Sequence, residues 1–127
     1  MHEQDAAILR SLVSVAWADG RVADEEMEVV EALLLAFGAT PEEADELRAY
    51  AKTPRSLDDI PLSDLSATDR RALLQHAVLL TFIDGEQSDV EKRLVGELAT
   101  KLRIPADEAS ALMAVAEARA QRFVQAL

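Results

Sequence analysis

Apolar residues recur along this chain at the three- and four-residue spacing of one helix face. Ile8, Leu9, Leu12, Val15 and Ala16 fall on a single stripe and predict a helix from about Asp5 to Ala18. Leu73, Leu74, Ala77, Leu80 and Thr81 predict another from about Thr68 to Ile83. Gly20 and Gly85 follow closely, where a left-handed residue ends a helix at little steric cost. Val29, Val30, Leu33 and Leu34 then predict a helix from Asp24 to about Phe37. Leu94, Val95 and Leu98 predict one from Asp89 to about Leu102. Ser88-Asp89-Val90-Glu91 reads as a capping box, whereas Ala23 stands where Ser88 would, so the earlier cap is incomplete. Thr40-Pro41-Glu42-Glu43 opens a helix to about Lys52, with a capping hydroxyl and Pro at the first helical position. Pro105-Ala106-Asp107-Glu108 opens the last one, which carries Leu112, Ala116, Phe123 and Val124. Residues 53–66 hold Pro54, Pro61 and several Ser and Asp, and read as a loop with about one helical turn.

The same order of elements comes twice. A shift of 65 residues lays 7–44 over 72–109 without a gap and gives 11 identities in 38 positions. This composition would give about 3 by chance. The matches include Asp19-Gly20 on Asp84-Gly85, Asp24 on Asp89 and Glu26 on Glu91, and Trp17 falls on Phe82. The expected fold is therefore all-α: one compact multi-helix domain over residues 1–127, built from a duplicated helix–turn–helix with internal pseudo-two-fold symmetry. The loop between the repeats is too short to separate two domains, so they should pack on each other.

Composition narrows the function. Half of the 127 residues are hydrophobic and only 4% aromatic, which suits helices packed through aliphatic side chains. Cysteine is absent, which excludes disulfides, thiolate metal sites and a Cys nucleophile, and a reducing cytoplasm is the expected home. The net charge of −11 opposes binding to nucleic acid and to anionic membrane surfaces, and favours cations or basic protein surfaces. Met1-His2-Glu3-Gln4-Asp5 is polar and unlike a signal peptide, and the longest apolar runs are too short for membrane insertion.

The pattern Asp-Gly-x-x-x-Asp-x-Glu, present at Asp19, Asp24 and Glu26 and again at Asp84, Asp89 and Glu91, is the one constellation with chemistry in it. It superimposes on the second half of a calcium EF-hand loop. The first half fails, because Val15 and Trp17, or Leu80 and Phe82, occupy the positions that should supply oxygens. One elbow has too few carboxylates for a tight cage. Two elbows brought together would pool six, whose mutual repulsion a hard divalent cation would relieve. The competing reading is capping, since acids in a first helical turn favour the macrodipole by about 0.3–1 kcal/mol each. Asp before Gly is ordinary turn chemistry, but dipole compensation does not explain Asp19 or Asp84, which stand at helix C-termini where a negative charge opposes the dipole.

Enzyme chemistry has less to stand on. His76 has no nucleophile elbow beside it, no Glu-x-x-His pair occurs, and no glycine-rich phosphate loop exists. No catalytic residue is assigned, and Trp17 and Phe82 read as core anchors.

With the two elbows in hand, Ala16-Trp17-Ala18-Asp19-Gly20-Arg21-Val22-Ala23-Asp24-Glu25-Glu26 resembles the signature of the tellurite-resistance TerB family. Thr81-Phe82-Ile83-Asp84-Gly85 through Glu91 resembles its second occurrence, and the likeness extends over roughly residues 5 to 120. The resemblance implies a compact, internally symmetric all-α fold, a bacterial stress-response setting, and work with membrane-associated protein partners. It also implies a divalent metal at Asp19, Glu26, Asp84 and Glu91, with Asp24 and Asp89 as weaker members. Related domains accompany a J-domain in some cochaperones, but this chain has no His-Pro-Asp. The alternative is a metal-free acidic module that docks on a basic or membrane-associated partner.

Overall fold

Glu3–Trp17 forms the first helix, α1, and buries nine of its 15 residues. In a computed structural model describing residues 1–18, 20, 22–82 and 87–126, with side chains through Arg122, five more helices follow. These are α2 (Asp24–Ala36), α3 (Pro41–Ala51), α4 (Ala67–Thr81), α5 (Asp89–Lys101) and α6 (Ala106–Ala126). Two 3-10 turns, Leu57–Asp59 and Leu62–Asp64, join α3 to α4. No strand occurs among the described residues.

The core forms around α1 and α4, which pack against each other. Ile8, Leu9, Leu12 and Val13 of α1 meet Leu73, Leu74, Ala77 and Val78 of α4 in one buried cluster. α1 is enclosed by α2, α3, α4 and both 3-10 turns, which is why Ser11 and Ser14 are buried with its aliphatics. Their hydroxyls donate to the carbonyls of Ala7 (2.7 Å) and Arg10 (3.3 Å) four residues back, so neither stays unsatisfied. α4 is covered chiefly by α6, which lays Ala109, Ala116 and Ala120 against it. Small side chains there let the two axes approach closely.

Each helix end has a local cause. Thr40 Oγ1 accepts from the Glu43 amide (3.2 Å) while Glu43 Oε1 accepts from the Thr40 amide (2.9 Å), the reciprocal box expected of that start. α4 begins a residue earlier than its apolar pattern suggested, because Ser66 and Asp69 form another such box, at 3.1 Å in both directions. α2 and α5 both end in a left-handed residue, Gly38 at φ +70° and Arg103 at φ +59°. Around them Gly38 donates to Leu35 and Ala39 to Leu34, as Arg103 donates to Thr100 and Ile104 to Ala99. This is the paired-bond stop that satisfies the last free carbonyls of a helix.

Distant segments are fastened by a few polar side chains. The Trp17 indole, half-buried, donates to the Ala51 carbonyl at 2.8 Å and ties the end of α1 to the end of α3. Arg70 spreads its guanidinium over three carbonyls, Leu65 (3.2 Å), Leu102 (3.2 Å) and Leu62 (2.8 Å). It thereby joins the 3-10 segment, the start of α4 and the end of α5. Arg71 grips Glu108 with two bonds, one of them 2.9 Å, across α4 and α6.

Candidate functional site

The elbows begin where α1 and α4 stop. Gly20 adopts φ +103° and donates its amide to the Trp17 carbonyl at 2.9 Å, closing the turn after α1. A Cβ built there would meet nothing within 4 Å, so glycine is required by the backbone angle and not by crowding. Asp19 and Asp84, the two acids placed at helix C-termini by the sequence, lie outside the described residues, as does Gly85.

The remaining four acids occupy two kinds of position. Asp24 and Asp89 are the first residues of α2 and α5 and are exposed. Glu26 and Glu91 stand two residues further on and turn back toward the helix start. Glu26 Oε1 accepts from the Ala23 amide at 2.9 Å, and Glu91 Oε1 accepts from the Ser88 amide at 3.0 Å. Ser88 Oγ completes the second box by accepting from the Glu91 amide at 3.1 Å. Ala23 has no oxygen to do the same, so the first box is half formed, as its sequence implies. One oxygen of each glutamate is thus engaged in capping.

Ion pairs form further along the chain from these four acids. Arg48 pairs with Glu31 through bonds of 2.7 and 2.8 Å and with Asp45 at 3.0 Å, and Lys101 pairs with Asp58. Those cations hold the Glu31 and Asp58 carboxyls below the usual carboxylate range. Asp24, Asp89 and Glu91 have no such pair among the described residues. α2 packs on α1 and α5 on α4, and α2 and α5 share no extensive contact. Among the described residues, no group of three or more His, Cys, Asp or Glu side chains is gathered tightly enough to hold a metal.

Sequence reasoning passed over one residue of the second elbow. Gln87 is buried at 7% exposure, and its amide nitrogen donates to Thr81 Oγ1 at 2.8 Å. The Thr81 hydroxyl spends its single hydrogen on the Val78 carbonyl at 2.7 Å, which fixes which end of the amide faces it. Gln87 Oε1 is left buried with no hydrogen-bond partner among the described residues. The first elbow carries Val22 and Ala16 at the corresponding places, so the polar pair belongs to the second elbow alone. Its signal in the sequence was a Gln where the earlier segment has an apolar residue.

Phe82 is buried and Trp17 half-buried, both packed into the core as the sequence reading expects. His76 is half-buried on α4, and burial pushes its imidazole below the ordinary value of 6.5. No described helix is long and apolar enough to cross a membrane. Compared with known proteins, the chain matches no family model, no curated protein and no solved structure.

Proposed function

We propose that this chain is a TerB-like helical protein of bacterial stress response, in which the two acidic elbows take up a divalent cation. The observation that carries this reading is the motif itself, Asp-Gly-x-x-x-Asp-x-Glu, twice at a spacing of 65 residues. In this reading the halves arise by duplication of a helix–turn–helix and pack about a pseudo-two-fold axis. Several features support the duplication. α2 moved by 65 residues coincides with α5 at both ends, and the left-handed stops at Gly38 and Arg103 differ by the same number. The glutamate of each elbow caps the helix that follows it. A cation would be held by the carboxylates of Asp19, Asp24, Glu26, Asp84, Asp89 and Glu91. It would relieve the mutual repulsion of the clustered carboxylates.

Thermal melts with calcium, magnesium, manganese or zinc, each against a chelator, test the proposal. Selective binding to the folded state raises the midpoint, by an amount equivalent to about 2.7 kcal/mol at a hundred times the dissociation constant. The rise should vanish in an Asp19→Asn/Asp84→Asn variant. No shift at millimolar metal, or the same shift in the variant, overturns it.

A second reading is favoured by the capping roles of Glu26 and Glu91 and the exposure of Asp24 and Asp89. On that reading the acids serve helix starts and a negative surface, and the protein is a cytoplasmic, non-enzymatic module that docks on a basic or membrane-associated protein. Association would then weaken steeply with salt and ignore chelators.

A further inference from the structure

The 21-residue helix α6 buries Ala109, Ala116 and Ala120 on the side that packs against α4. At about 3.6 residues per turn, Asp107, Ala111, Ala114, Val115, Ala118 and Arg122 fall on the opposite side, and all six are exposed. Between its two ends that side carries no charge, whereas the exposed positions of α5 include Lys92, Arg93 and Glu97. Alanine is unremarkable on a solvated helix, because its intrinsic propensity is the best of all residues. Val115 is not. It is β-branched, apolar and 48% exposed, at the centre of the face.

The two ends of this face carry opposite charges, Asp107 and Arg122, in a self-complementary order. The macrodipole accounts for an acid near a helix start and a base near its end. It does not account for the uncharged run between them. A second copy laid antiparallel, with Ala114 against the partner's Val115, brings Ala111 opposite the partner's Ala118 and Asp107 opposite the partner's Arg122. Each of these contacts then occurs twice, as a two-fold interface requires. A shift of one turn in either direction moves Asp107 off the partner's Arg122. A parallel pair would set like charges against each other at both ends.

We propose that the exposed side of α6 is the contact between two copies of this chain, paired antiparallel about a two-fold axis that passes between Ala114 and Val115. Alanine side chains let the helix axes approach to about 8 Å, the short end of the range for packed helices. The contact runs over about 22 Å of helix, which puts it at the low end of interface sizes. The dimer is therefore weak and forms with rising concentration. A net charge of −11 on each copy adds repulsion, which salt screens. The pairing depends on no elbow residue and no metal.

Sedimentation equilibrium of the full chain, from about 10 μM to about 1 mM at about 0.15 M salt, tests it. A reversible monomer–dimer equilibrium is expected. Asp107→Arg sets arginine against arginine at both ends of the contact, and Arg122→Asp sets aspartate against aspartate. Each variant alone should self-associate at least about tenfold more weakly than the native chain. Mixed in equal amounts, the two variants restore opposite charges at both ends, so the mixture should dimerise as the native chain does. That recovery also shows that neither charge reversal has cost the fold. The proposal is overturned by any of three results: a native chain that stays monomeric to the highest concentration, which leaves the face to a different partner; self-association that neither charge reversal changes; or a mixture no more dimeric than its components.

Discussion

Arg103 holds a backbone angle that L side chains adopt reluctantly, at φ +59°, at the place where α2 uses Gly38. Substitution by glycine relieves that cost, offset partly by the greater freedom glycine gives the unfolded chain. Arg103→Gly should therefore raise stability by about 0.5–1 kcal/mol, and Gly38→Ala should lower it by about 1 kcal/mol, both read from urea midpoints at constant slope. The Thr81–Gln87 pair invites a double-mutant cycle. Thr81→Ala alone leaves the buried Gln87 amide without its acceptor and should cost about 1–3 kcal/mol. Adding Gln87→Val, which copies the apolar pairing of Ala16 and Val22, should recover most of that loss. Simple additivity of the two changes would show that the hydrogen bond is energetically idle.

Among the elements, what lay in short stretches of sequence was legible. The helix starts at Thr40 and Ser88 were readable because a hydroxyl, a carboxylate and the backbone they satisfy all lie within four residues. The stripes of α1, α2 and α5 were readable for the same reason. The Ser66 box escaped because the apolar pattern begins only after it, and the expected loop at 53–66 contains two 3-10 turns where one turn was expected. Arg70 was invisible. Its three acceptors, Leu62, Leu65 and Leu102, come together only after α5 has folded against α4, and no spacing in the chain announces that. The pairing of Arg71 with Glu108 has the same non-local character. Of the candidate site, the capping roles of Glu26 and Glu91 could be read, and the tertiary relation of the two elbows could not. Arg70→Met keeps the aliphatic stem but strands three carbonyl groups, and should cost about 2–3 kcal/mol in denaturant unfolding. A loss near zero would mean that water replaces the guanidinium without penalty.

For the whole molecule, acid acts through His76 before it acts through the carboxylates. The folded imidazole titrates below 6.5, so the unfolded chain takes up its proton at a higher pH than the folded one. Stability from this group is complete above 6.5 and is lost as pH falls through that value toward the depressed one. Glu31 and Glu108, each held down by an arginine, repeat the same loss only below 4.5, and Asp58, held down by Lys101, only below 3.8. Falling pH also relieves repulsion in a chain of net charge −11, which works the other way, so the comparison must be between chains. The difference in stability between the native chain and His76→Gln should shift in favour of the variant from pH 7 to pH 5. Parallel curves would show that His76 does not sense the fold.

The mutual burial of α1 and α4 has a consequence for how the molecule can be divided. The two helices lie on opposite sides of the exposed stretch around Pro54, the natural place for a protease to nick. Either piece released there would carry its most oily surface bare, so each alone should be unfolded or aggregated. Mixed in equal amounts, the pieces should restore the helical circular-dichroism signal with a dependence on concentration. A chain that reads as two matched halves would thus behave, once severed, as an obligate heterodimer.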